Sequence, residues 1–229
     1  MSRTVVLIPA LCLAACSRSS TTAPTQSGPT MSVFVTSAKS TTGNFGGLAG
    51  ADRLCQTLAS AAGVGNKTWR AYLSVERDAG NSNRATDARS RIGNGPWYNA
   101  KGTLVANNLT ELHGRRGDST VFVDEKGQPI NGQWTGSPSP VEHDILTGSA
   151  ADGTLLMGMT CADWTSDSSS MAAQVGHSDG LGPNGEPRAR SLRGTRRTRI
   201  RAAPTPPRAA APDVSTASRR TDTTGLTRV

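Results

Sequence analysis

The sequence predicts a single α+β domain with short strands, one main early helix and long loops. Three observations predict it. Apolar residues recur at helical spacing only once, over Leu48 to Ala62; the later β-branched and aromatic runs are short and divided by Gly, Asn, Pro and Asp; and four tryptophans supply bulky material for a small core. A chain of 229 residues that is 35% hydrophobic has room for one domain and leaves part of its length outside any core. Residues 32–187 are read as that domain, 1–15 as an export signal, 16–31 as a tether and 188–229 as a disordered tail.

At the N-terminus, Arg3 is followed by an apolar run, Val5 to Leu13, and then by small residues. That is the order of a signal peptide, too short to span a bilayer. The run closes on Leu13-Ala14-Ala15-Cys16, which resembles the bacterial lipobox, so Cys16 is the expected lipidation site and the lipid the expected membrane contact. Ser17 to Thr30 then supplies a Ser/Thr/Pro tether. Because Ser17 is not Asp, the outer membrane is the expected address in the cell envelope. Export implies an oxidising compartment in which domain cysteines are disulfide candidates.

In the body, Ser32 to Thr36 is β-branched and aromatic and reads as a strand before the Gly-rich turn at Gly43 to Gly47. Leu48, Ala51, Cys55, Leu58 and Ala62 then form an inward helix stripe, with Asp52, Arg53 and Gln56 on the other face and Gly63 as the stop. Thr68 to Leu73 reads as a second strand, Val121-Phe122-Val123 and Gly132 to Thr135 as further short strands, and Asn108 to Leu112 as one helical turn. Trp69, Trp97, Trp134 and Trp164 are expected to be structural.

The run Gly43 to Cys55, followed by Thr68 to Ser74, resembles bacterial lipoproteins carrying an endostatin-like domain of the C-type-lectin-like fold. Ile92 to Ala100, Val105 to Gly114, Asp124 to Gly127, His143 to Gly148 and Thr160 to Ser166 are similar as well. The resemblance covers roughly residues 33–184. It implies a non-catalytic module that binds protein or glycan partners, and it implies that Cys55 pairs with a cysteine in a closing strand and Cys161 with one shortly before it. Those partners are absent, because the other two cysteines are Cys12 and Cys16.

The tail departs from the family. It has eleven Arg, two acidic residues and no aromatic, so it carries +9 of the +8 net charge and the remainder carries −1. High basicity is therefore no argument for a nucleic-acid-binding face, and no nucleic-acid partner is expected. Offsetting the reading frame to the third base of each codon from Arg193 permits Trp-Asn-Ala-Ser-His-Glu-Asn-Ser-Gly-Cys, and Thr216-Ala217-Ser218 permits Tyr-Cys-Phe. A hidden Trp requires a visible Gly, and Gly194 is the only Gly between Glu186 and Gly225. These constraints suggest a frameshift between about Gly185 and Arg193 that removes the closing strand, leaves a sheet edge open at Val33 to Val35, and yields a marginally stable, non-functional product. The alternative is a genuine basic tail able to touch anionic headgroups or polysaccharide.

Few residues suggest chemistry. His113, His143 and His177 are the only histidines, and Glu142-His143-Asp144 is a tempting metal pair, but no two His stand at i and i+4, so surface or turn positions are expected and no metal or cofactor. The loops of calcium-dependent lectins are missing. No Gly-x-Ser-x-Gly elbow occurs, and Asp163, Asp167 and Asp179 read as turn formers, so a secreted hydrolase is the weakest alternative and no enzyme is expected. Arg116-Gly117-Asp118 matches the integrin-type adhesion tripeptide in a polar loop, a match short enough to arise by chance.

Overall fold

A computed structural model of the chain describes residues 30–181, with the backbone of 198–199 and 227–228. The signal segment, Cys16, most of the tether and most of the tail lie outside the described residues. The architecture is mixed α and β, with short strands and few helices.

Helix α1, Gly47–Ala61, is the long helix that the spacing predicts. Gly46 precedes it with φ 72° and Gly63 follows it with φ 80°, a conformation that favours glycine, so entry and exit both fall at glycines. Its Ala51, Cys55 and Ala59 are buried against Trp69, Leu73, Leu146, Trp164 and Val175. A second cluster gathers Trp97, Val105, Ala106 and Val121. Trp69, Trp97 and Trp164 are therefore core residues, while Trp134 is half-buried and donates its indole N–H to the Ile130 carbonyl at 3.0 Å.

The largest sheet has four strands: β1, Lys39–Ser40; β6, Asp144–Leu146; β8, Val175–His177; and β10, Thr227–Arg228. β10 lies between β1 and β6, antiparallel to the first and parallel to the second. Three ribbons complete the strands. β2, Val75–Asp78, pairs β3, Arg84–Thr86; β4, Trp97–Tyr98, pairs β5, Leu104–Ala106; and β7, Ala172–Ala173, pairs β9, Thr198–Arg199. The short helices are α2, Ala88–Arg91, and α3, Leu109–Gly114, the predicted single turn, capped by the Asn108 side chain on the Glu111 amide. α4, Cys161–Trp164, is a left-handed turn with φ between 48° and 65° at all four residues.

Four expected strands are not strands, and backbone hydrogen bonding explains each. Val33 and Val35 donate to two different partners, Tyr98 and Val123, so 32–36 makes only an isolated bridge at Val35. The expected open edge at Val33 to Val35 is thus absent from the described residues. In 68–73 the amides of Trp69 and Ala71 go to the side chains of Gln56 and Asp52 on α1, not to a neighbouring strand, and the strand begins only at Val75. Val123 bridges only Pro129. At Gly132 and Gln133 the amides go to the Ser137 hydroxyl and the Asp179 carboxylate, which makes this stretch a turn.

Candidate functional site

Antiparallel pairing of β6 with β8 sets Asp144 directly opposite His177, so both side chains stand on one face of the sheet. His143 enters the same place from the residue before β6, and its ring centroid lies 4.7 Å from that of His177 at 56°. His143 Nε2 is 3.7 Å from Asp144 Oδ1, and His177 Nδ1 is 2.9 Å from the same oxygen. The donor atoms of His143, Asp144 and His177 all lie within 4.8 Å of one another.

Asp179 holds the arrangement from behind. His143 Nδ1 lies 2.8 Å from both of its carboxylate oxygens, and the amides of Gln133 and Leu181 donate to it at 2.8 and 2.9 Å. Burial pushes the Asp179 carboxyl up, but the hydrogen bond from His143 and those two amides outweigh it and hold the group below the usual carboxylate range. An ionised carboxylate only accepts, so a proton sits on His143 Nδ1, while Nε2 faces Asp144. His177 Nδ1 is buried without a hydrogen bond, because its close approach to Asp144 is poorly aligned.

The expectation that the histidines are surface or turn residues is corrected for His143, which is 6% exposed and held by Asp179, and for His177, which lies in β8 with its side chain 12% exposed. Asp179, the partner of His143, is far along the chain, and spacing rules that search one segment do not see it. The only local signal is that His177 and Asp179 are two residues apart, but β8 ends at His177 and Asp179 lies in the turn after it, so the pattern does not point to His143. His113 stands apart on α3, half-buried, with Nε2 2.8 Å from the Tyr72 hydroxyl and Nδ1 2.7 Å from the Leu109 carbonyl. Burial lowers its pKa below that of an ordinary histidine.

Beside the cluster opens a cavity of about 270 Å³ walled by Phe34, Trp69, Trp97, Leu112 and Phe122, with His177 at its margin. Cys55 also lines it. Burial, with the nearby Asp52 charge, pushes the Cys55 thiol up to about 12, and burial pushes Cys161 up to about 11. Neither is in a disulfide, and both are buried.

The remaining candidates have structural roles. Asp118 of the Arg116-Gly117-Asp118 tripeptide accepts from the Thr120 amide and hydroxyl at 2.8 and 2.7 Å, and a Cβ on Gly117 would lie 2.2 Å from the Gly180 nitrogen. The tripeptide is thus packed onto the end of β8, with only Arg116 exposed. Asp163 accepts from the Glu76 and Arg77 amides, fixing α4 to β2, and Asp167 is exposed.

The family model described as "Protein of unknown function (DUF1554)" matches residues 38–180, which span β1 through β8. The chain belongs to the DUF1554 family. Within the DUF1554 match lie His143, Asp144, His177, Asp179, Cys55 and Cys161. No curated protein matches the chain.

Proposed function

We propose that this DUF1554 chain is a non-catalytic binding module of the bacterial cell envelope, with an endostatin-like, C-type-lectin-like domain held to the membrane by lipid on Cys16. The aromatic-walled cavity carries the reading. Concave, mostly apolar sites with a few polar groups at the margin are where ligands seat, and this wall favours the apolar side chains of a protein partner over a polyhydroxylated glycan. The thiol on the wall supports binding over covalent catalysis, since a group with a pKa of about 12 is not a nucleophile near neutrality. No helix among the described residues is long and apolar enough to cross a membrane.

The test combines anchor and site. Palmitate labelling should be lost in Cys16→Ser, and binding to panels of immobilised host matrix proteins and glycans should be lost in Leu112→Glu while near-ultraviolet circular dichroism is kept. Unlabelled wild type removes the anchor, and ligand binding that survives Leu112→Glu removes the site.

One observation favours a second reading, a frameshifted and non-functional product. Cys55 is unpaired on the cavity wall, where the resemblance implies pairing with a closing strand. Resequencing the codons for Gly185 to Asp222 separates the two: one base gained or lost identifies the tail as a frameshift product, and an unaltered frame removes this reading.

A further inference from the structure

We propose that His143, Asp144 and His177 form a binding site for a divalent first-row transition ion, with zinc the best match, and that Asp179 is its positioning residue. Two imidazoles and one carboxylate are a borderline donor set that suits zinc, cobalt or nickel better than calcium or magnesium, which prefer all-oxygen shells. All three donor atoms fall within 4.8 Å of one another. Ligands at about 2.0–2.2 Å from a tetrahedral ion stand roughly 3.3 Å apart, so the widest separation must close by about 1.5 Å. Asp144 Oδ1 already lies 3.7 and 2.9 Å from the two imidazole nitrogens, so the gap to close is the one between the rings, and His177, whose Nδ1 has no hydrogen bond to hold it, can supply that movement by rotating its side chain.

Two features distinguish the cluster from an ordinary ion pair. Metal-ligating histidines characteristically donate their second ring nitrogen to a carboxylate or carbonyl, and His143 Nδ1 does so to Asp179, which is itself fixed by the Gln133 and Leu181 amides. Nε2, the other ring nitrogen, faces Asp144 Oδ1 at 3.7 Å. In addition, His177 Nδ1 is a buried polar atom with no hydrogen-bond partner, aimed into the same space. An orphaned buried nitrogen is costly, and a bound cation satisfies it without moving the backbone. The cross-strand register that brings Asp144 opposite His177 pre-forms two of the three ligands. Three protein ligands leave a position open to water or to a donor from a bound partner, and His177 places it at the margin of the cavity.

The inference does not depend on the binding-module reading, and its experiment is direct. Untagged full-length chain, stripped with chelator, is titrated with cobalt(II) followed optically and with zinc by calorimetry. One ion per chain is expected, with visible ligand-field bands, no near-ultraviolet thiolate charge-transfer band, and displacement of cobalt by zinc. His143→Ala and His177→Ala should each abolish stoichiometric binding, His113→Ala should leave it unchanged, and Asp179→Asn should weaken it by roughly 10–100-fold. Should a histidine variant fail to fold, Asp144→Asn, at a part-exposed position, gives the same reading by weakening cobalt binding with the fold intact. No stoichiometric binding by wild type, a thiolate band, or affinity unchanged in His177→Ala or Asp144→Asn would overturn the proposal.

Discussion

Cys55 and Cys161 are 6% and 2% exposed in the main core cluster, and neither has a disulfide partner. Burial favours the neutral thiol, so the folded chain holds their pKa values at about 12 and about 11, against an ordinary value of 9.0. A group with a raised folded pKa contributes stability that is complete below its unfolded pKa and is lost as pH rises toward the folded one. The unfolding midpoint should therefore fall as pH rises above about 9, and Cys55→Ala should flatten that fall. A disulfide-exchange reagent near neutral pH should label neither thiol in the folded chain and both after unfolding. Prompt labelling of the folded chain at the rate of an exposed thiol would contradict the burial. The inward position of Cys55 was legible from helical spacing, because Ala51 four residues before it and Leu58 and Ala59 three and four after it are apolar too. Cys161 carried no such signal, since it begins a left-handed turn outside any periodic segment. His143 was misjudged for a related reason: its hydrogen-bond partner is 36 residues away.

At the scale of elements, α1 was legible almost to the residue, because an amphipathic period between glycines is local information. The strands were not. Extended segments are recognised by residue type, but whether they join a ladder depends on where their amides go, and here the Trp69 and Ala71 amides go to side chains of α1. The entry of α1 offers a test in which local propensity and packing disagree. Gly50 lies inside the helix, where alanine is intrinsically better by about 1 kcal/mol. A Cβ there would stand 1.7 Å from the Phe45 carbonyl oxygen, a backbone atom that cannot step aside without moving the turn into the helix. Packing should win. Gly50→Ala is expected to lose about 2 kcal/mol or more in denaturant unfolding, and a midpoint unchanged or raised would show that the turn at Phe45 yields freely.

Across the whole molecule, the two core clusters meet at a cavity and do not merge. Cys55, Trp69 and Leu146 of the larger cluster face Trp97 of the smaller across about 270 Å³. At about 24 cal/mol per Å³ an empty space of this size would cost roughly 6 kcal/mol, comparable to the net stability of a small domain; water entering an open cavity makes that an upper bound. Such a cost is tolerable when the space is used, which is why the cavity weighs so heavily both for ligand binding and for a missing closing segment. Sequence composition offered no hint of it, because the lining residues come from many separate stretches between Ser32 and Ser178, in which apolar residues alternate with polar ones such as Thr68, Arg70 and Arg91. The cavity itself can be probed before any partner is known. An anionic naphthalene dye should bind the folded chain with saturation at one site, with near-ultraviolet circular dichroism unchanged, and should raise the melting temperature with dye concentration by mass action. Leu112→Glu should remove that site without unfolding the chain. Dye binding without saturation, or accompanied by loss of the near-ultraviolet signal, would mean that the two clusters are not rigidly joined, since loosely packed compact states bind such dyes indiscriminately.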